Sequence, residues 1–200
     1  MRATDALVLS AAAGGVLDFW FAEANAARWF VTDAAFDEEI REHFGHSVEA
    51  AADGRLDGCW AETPSGWLAL LILLDQFPRN LYRGDSRAWA QDVKAQRVVL
   101  SGISRGDDRR LPPLQRVFAY MPLEHAENMG MQQQAVEQFR LLCAGVPSEQ
   151  RERFEGFFEY ARRHREVIAR FGRFPHRNAA LGRASTPEEL LYLAQPGAGF

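Results

Sequence analysis

Helix start and stop signals recur along the whole chain, and no segment alternates apolar and polar residues as a half-buried strand would. Asp33 can cap a helix over residues 34–52. That segment has an apolar residue at every fourth position: Phe36, Ile40, Phe44 and Val48. Thr186 precedes Pro187 and Glu189, which is the pattern of a capping box. These signals predict an all-α protein with at least seven helices and no sheet.

The longest uninterrupted apolar run, Trp67 to Leu74, is too short to span a membrane, so no membrane association is expected. Periodicity alone does not distinguish a buried strand from a buried helix here. The leucine content, together with Thr63 as a cap and Pro64 at the first helical position, favours a helix. Further helices are predicted at four places: from Asp85 to Gly102, from Pro112 through Phe118, over 122–143, and from Pro147 to Phe171.

The length and composition describe one globular domain. The chain has 200 residues, of which 47% are hydrophobic, and a net charge of −4. Helices of ten to twenty residues joined by short loops are expected to pair as antiparallel hairpins. We assign residues 1–15 to a frayed N-terminal extension and 16–200 to the single helical domain. Two widely spaced cysteines, Cys59 and Cys143, form no disulfide framework and indicate a reducing, cytoplasmic setting.

Two peptides repeat a Phe-Pro step followed by arginine and asparagine. The first runs from Gln76 to Gly84, and the second from Arg173 to Asn178. Proline lacks an N–H and disfavours helical geometry in the residue before it, so each helix should end or kink there. The phenylalanines, Phe77 and Phe174, should then be buried anchors. The arginine and asparagine would recognise a carboxylate or phosphate, or they would cap a helix and tie down a carbonyl end; both interpretations stay open.

A third polar cluster, from Met121 to Asn128, also follows a proline and contains Glu124, His125 and Glu127. Carboxylates beside a histidine could move protons or neutralise arginines, and a structural network would have the same composition. Three residues on the helix over 34–52, Glu39, His43 and His46, are interpreted as a solvated face. No metal site is assigned.

Four blocks carry a resemblance to a known family: Val16–Phe21, Leu74–Asn80, Met121–His125 and Gly172–Asn178. With these blocks the chain resembles the bacterial domain of unknown function 924 family from about Val16 to Leu193. The resemblance implies a tetratricopeptide-like fold of helical hairpins, and it implies no activity. Where members of that family usually read EHSE, this chain has Ala126 in place of the serine.

The candidate ligand-binding residues are those that the three polar segments supply, together with one histidine of the predicted helix after Pro147. They are Asp75, Arg79, Asn80, Glu124, His125, His164, Arg177 and Asn178. We expect them to form a single site. The first hypothesis is a closed pocket for a small anionic molecule, with catalysis and cofactors left unknown. The alternative is a helical-hairpin module that binds an acidic peptide through exposed arginines. Nucleic acid is not an expected partner, and the oligomeric state is not defined by the sequence.

Overall fold

The computed structural model describes residues 3–199, with side chains from residue 12 onward, and contains no strand in that range. Its α-helices are α1 (Ala3–Trp20), α2 (Ala34–Ala52), α3 (Asp57–Trp60), α4 (Pro64–Leu71), α5 (Phe77–Leu81), α6 (Asp92–Arg105), α7 (Pro113–Glu124), α8 (Met129–Gly145), α9 (Ser148–Phe171) and α10 (Pro187–Leu193). Short 3₁₀ helices span Glu23–Arg28, Ser86–Trp89, Asp108–Arg110 and Pro175–Arg177. The predicted all-α class is therefore confirmed, as is the helix over Trp67 to Leu74.

The contacts group the chain into two compact units. The first unit consists of Met1–Arg83 and Arg87–Ala119, and the second of Gly84–Ser86 and Tyr120–Phe200. Helix α1 begins at Ala3, inside the segment that the sequence analysis separated as an extension. The frayed state of residues 1–15 and the domain limits 16–200 stay predictions. None of the helices between residues 3 and 199 combines the length and apolar character that a membrane crossing needs.

The core of the first unit is aromatic and aliphatic. Among the described residues, the indole of Trp20 packs against four other rings, with centroid distances of 6.1 Å to Trp29, 5.8 Å to Phe36, 5.5 Å to Phe77 and 5.6 Å to Phe118. Every residue from Gly66 to Pro78 is buried. The caps predicted at Asp33 and Thr63 are present: Asp33 accepts from the N–H of Phe36 at 3.0 Å, and Thr63 from the N–H of Gly66 at 3.1 Å.

A π-helical segment, Ile72–Gln76, joins α4 to α5. The N–H of Phe77 bonds to the carbonyl of Ile72, five residues earlier, and Pro78 follows in the first turn of α5. The expectation that Phe77 leaves helical geometry is wrong, since its backbone is helical with φ −60° and ψ −39°. The wider π turn accommodates the proline, so the chain stays helical. Phe174 does adopt the expected extended backbone, with φ −91° and ψ 107°.

The second unit contains the helical hairpin of α8 and α9. Only Val146 and Pro147 separate these helices, and so short a connection makes them pack antiparallel. Phe139 of α8 and Phe154 of α9 are among the buried residues. Helix α10 begins with the predicted capping box at Thr186.

Two predicted helices have different limits in the structure. The predicted helix over 122–143 is two helices, because α7 ends at Glu124 and Asn128 caps α8 by accepting from the N–H of Met131 at 3.0 Å. Gln132 donates to the carbonyls of Glu124 and Ala126, which satisfies the end of α7.

The second difference concerns the segment after Asp85. The residues directly after Asp85 form the 3₁₀ helix Ser86–Trp89. Helix α6 begins only at Asp92 and continues past Gly102 to Arg105. The buried face of α6 contains Ala95 and Val99, whereas Val93 is exposed.

Candidate functional site

In the first unit, the structure brings Asp75 and Arg79 together. Nη1 of Arg79 lies 3.1 Å from Oδ1 of Asp75 and donates to the Asp75 carbonyl at 2.8 Å, so the two residues form an i,i+4 pair. Nη2 of Arg79 lies 3.0 Å from both carboxylate oxygens of Asp92, which the sequence analysis did not single out. Burial acts to lower the pKa of Arg79, but the carboxylates of Asp75 and Asp92 outweigh it, and the net direction is upward.

Asn80 belongs to a different set of contacts in the same unit. Its side-chain amide donates to Oδ1 of Asp37 at 2.8 Å. The same carboxylate accepts from Arg83 at 2.6 and 2.9 Å. Asn80 therefore links α5 to the first turn of α2. This contact resembles the helix-capping role that the sequence analysis kept as the alternative to anion recognition.

In the second unit, four of the predicted residues form one group, which we call the His125 cluster: Glu124, His125, His164 and Arg177. Glu124 ends α7, His125 follows it, His164 lies in α9, and Arg177 ends the 3₁₀ helix after Phe174. Glu124, His164 and Arg177 are buried, whereas His125 is half-buried. The imidazole centroids of His125 and His164 are 6.1 Å apart.

Two acceptors surround Nδ1 of His164. The carbonyl of Tyr160 lies at 2.9 Å and Oε1 of Glu124 at 3.1 Å, so this nitrogen carries the imidazole proton and donates it. Burial, followed by the charges of His125, Arg177 and His176, lowers the pKa of His164 to about 2 despite the bond to Tyr160. His164 is therefore a neutral imidazole at physiological pH.

The fourth member of the cluster, Arg177, is positioned by main chain and ring. Its Nη2 donates to the carbonyl of His125 at 3.0 Å, and its guanidinium stacks 4.5 Å from the centroid of Phe174. The prediction that Phe77 and Phe174 are buried is confirmed, since both are 0% exposed. The anchoring of Arg177 over Phe174 shows why the Phe-Pro step precedes the arginine.

Asn178 lies in a separate network with Arg183 and Glu189. Its Oδ1 accepts from Nε of Arg183 at 3.0 Å, and its amide donates to Ser185 and Glu189. Arg183 also forms two bonds to Glu127, at 2.6 and 2.9 Å.

Sequence reasoning missed Arg183 and the buried role of Glu189. The capping box marked Glu189 as a helix-start residue, but nothing in the sequence signals that it also pairs with Arg173, sixteen positions earlier. The prediction that the eight candidate residues form one site stays a prediction.

The surface histidines of α2 have contacts of their own. Glu39 pairs with Arg28 at 3.1 Å, Nδ1 of His43 lies 2.7 Å from the Glu39 carbonyl, and the side chain of His46 is fully exposed. This arrangement agrees with the solvated face that the sequence analysis assigned to them.

Comparison with known families gives a match over nearly the whole chain. The model of the family described as "Bacterial protein of unknown function (DUF924)" matches residues 16–197. The chain belongs to this family. A DUF924 assignment agrees with the resemblance that the Phe-Pro blocks carried.

A solved structure similar to this DUF924 member is that of a protein of unknown function from Agrobacterium tumefaciens. The two sequences are 40% identical, and the match covers 92% of this chain and 98% of the other with a TM-score of 0.83. No curated protein matches the chain.

Proposed function

We propose that this protein binds a small anionic molecule at the His125 cluster. The observation that carries the proposal is that neither Arg79 nor Arg177, the arginines after the two Phe-Pro steps, is exposed. A peptide-binding module would present them on an open surface. Instead, Arg177 is 5% exposed and the side chain of Arg79 is 20% exposed, and both bond to protein acceptors.

The charge of Arg177 acts on the ionisable groups around it. It contributes to the low pKa of His164. Burial would raise the pKa of Glu127, but bonds from Arg183 and the Phe174 N–H, together with the charges of Arg183 and Arg177, lower it. The positive charge that Arg177 brings to the cluster would attract an anion.

The exposure of the cluster residues suggests how a ligand is reached and selected. His125 is the half-buried member, so a ligand entering from solvent contacts it first. The Glu124 carboxylate would repel a simple anion but would accept from a hydroxyl or ammonium group. The expected ligand is thus a carboxylate or phosphate that also bears a hydrogen-bond donor. We propose binding without a catalytic step. We also propose a cytoplasmic location, which the free thiols of Cys59 and Cys143 support.

The test is a thermal-shift and calorimetric screen of the chelator-treated full chain against inorganic phosphate, glycerol phosphate and malate. A ligand that binds only the folded state at 100 times its dissociation constant stabilises it by about 2.7 kcal/mol. We expect His125→Ala to weaken binding of the best ligand at least about tenfold, because it removes the imidazole at the entrance.

The matched control is His46→Ala, whose side chain is fully exposed on α2. It should leave binding unchanged, and so should sodium chloride at equal ionic strength. Binding that His125→Ala does not weaken would reject the site. Stabilisation by a polyglutamate peptide, but by none of the three small anions, would favour the helical-hairpin module instead.

A further inference from the structure

Three side chains of the His125 cluster belong to the types that coordinate metal ions. Glu124 offers a carboxylate oxygen, and His125 and His164 each offer an imidazole nitrogen. One such atom from each residue lies within 4.8 Å of the other two. The sequence analysis assigned no metal site, and no sequence pattern connects His125 with His164, 39 residues later.

The geometry points to a binding site for one divalent transition-metal ion of the Zn²⁺ class, with Glu124, His125 and His164 as its protein ligands. Two histidines and one glutamate are a ligand set that proteins use for zinc when a fourth position stays open to water or a ligand. The inference goes beyond anion binding and does not depend on it.

The spacing within the cluster suits a tetrahedral ion. Ligand atoms about 2.0–2.2 Å from zinc lie about 3.3 Å from each other at tetrahedral angles. Nδ1 of His164 and Oε1 of Glu124 are 3.1 Å apart, so an ion can replace the proton between them with little movement of either side chain. Since one ligand atom from each of the three residues lies within 4.8 Å of the others, these atoms must close by no more than about 1.5 Å to reach the tetrahedral spacing, and His125 is the half-buried residue of the three.

The charge balance also suits a divalent ion. A histidine binds a metal ion as the neutral imidazole, and a glutamate binds it as the carboxylate. Glu124 supplies one negative charge in a buried position. When the ion binds Nδ1 of His164, the imidazole changes tautomer: Nδ1 gives up its proton and Nε2 takes one up, so that the coordinated imidazole stays neutral.

The first experiment titrates ZnCl₂ into the chelator-treated full chain, without phosphate or carboxylate buffers, in competition with a chromogenic chelator. We expect one equivalent to bind. Co²⁺ should give the intense visible absorption of a four-coordinate site, which a hydrogen-bonded cluster without metal affinity cannot produce. Failure of the wild-type chain to bind Zn²⁺ in competition, or an octahedral Co²⁺ spectrum, would overturn the proposal.

The second experiment compares variants. Glu124→Gln and His125→Ala should each weaken Zn²⁺ binding at least about tenfold. His164 is 3% exposed, so His164→Gln is used only if its circular dichroism and melting curve show a folded chain. The control is the double change His43→Ala and His46→Ala, which should leave Zn²⁺ affinity unchanged.

The variant results also separate this inference from anion binding. Zinc binding that survives both Glu124→Gln and His125→Ala would place the ion elsewhere and reject the site. Phosphate binding by the metal-free chain that His125→Ala weakens would leave the proposed function intact whatever the metal result. Zinc binding with no anion response would support the metal site alone.

Discussion

Glu189 shows how much one side chain can connect in this fold. Its carboxylate pairs with Arg173 at 2.6 Å, accepts from the Thr186 N–H at 2.7 Å, and receives a weaker bond from Asn178 at 3.3 Å. The Arg173 hydrogen bond, opposed by burial and aided by Thr186, lowers the pKa of Glu189 to about 2. Glu189, a member of the capping box of α10, therefore also connects this helix to the segment after α9.

This pKa makes the free energy of unfolding depend on pH in a defined direction. The folded-state pKa lies below the ordinary value of 4.5, so the contribution of Glu189 is complete above about pH 4.5 and is lost as the pH falls toward 2. We expect Glu189→Gln to destabilise the protein by about 1–3 kcal/mol at pH 7. We also expect it to flatten the fall in stability between pH 4.5 and pH 2, measured by urea unfolding.

Glu188→Gln is the control. The carboxylate of Glu188, the residue before Glu189, is 61% exposed, and among the contacts described it pairs only with the exposed Arg170. This substitution should change neither the stability at pH 7 nor the slope. Equal slopes for wild type and Glu189→Gln would show that the Arg173 pair contributes nothing to acid stability.

At this scale the sequence predicted apolar positions better than charge partners. Phe77 and Phe174 could be assigned to the core because an aromatic residue before a proline ends an apolar stretch. The partners Asp92 of Arg79 and Arg183 of Asn178 could not be assigned, since no spacing rule relates residues brought together by tertiary packing.

At the level of helices, Gly102 sets how closely α6 approaches α4. A Cβ at this position would overlap the indole of Trp67, whose Nε1 donates to the carbonyl of Val98 at 2.8 Å. Both glycine and tryptophan are buried. The close approach thus depends on the missing side chain.

Gly102→Ala is therefore expected to destabilise the protein by about 1–3 kcal/mol, because overpacking forces the indole or the backbone to move. The comparison is Gly156→Ala in α9, where an added Cβ meets nothing within 4 Å and the residue is exposed. That change should stabilise by about 0.5–1 kcal/mol through helix propensity. Chemical denaturation midpoints measure both, and a neutral Gly102→Ala would contradict the packing argument.

Helix starts were predictable where a side chain caps them, as at Asp33, Thr63 and Thr186. They were not predictable where the same residues could either begin a new helix or lie inside a continuing one. Pro122 suggested the start of a helix, yet α7 continues through it to Glu124. Asn128 then caps α8, a function that its position inside an apparently continuous helical pattern concealed.

For the whole molecule, the distribution of burial predicts where the backbone opens last. The segment from Gly66 to Leu74 is buried at every residue, and its amides belong to the core of the first unit. Their hydrogen exchange should require global unfolding. In contrast, α10 has seven residues, and Leu190 and Leu191 are 57% and 70% exposed.

Hydrogen exchange followed by mass spectrometry is expected to show the strongest protection over 67–74 and much faster exchange over 188–193. The measurement needs no variant. The exchange rates of α2, which has one buried and one exposed face, should lie between those of the two segments. Comparable rates over 67–74 and 188–193 would mean that burial does not control local opening here.

The helical class and the hairpin of α8 and α9 followed from caps, periodicity and short connections, all of which are local. The grouping of helices into two units did not follow from sequence, because no linker or change of composition marks it. The His125 cluster was predicted only in its members, since side chains 39 positions apart meet through the packing of α9 and not through a motif.

The π segment Ile72–Gln76 has a consequence for how the chain tolerates changes of length. A π turn is equivalent to one extra residue in an α-helix, and each residue of an α-helix corresponds to a rotation of about 100°. Deleting one residue from Ile72–Gln76 would therefore turn the π segment into an ordinary α-helical turn and leave Arg79 and Asn80 directed toward Asp92 and Asp37. The chain between the leucines and Pro78 can lose one residue and still hold Arg79 in its present direction.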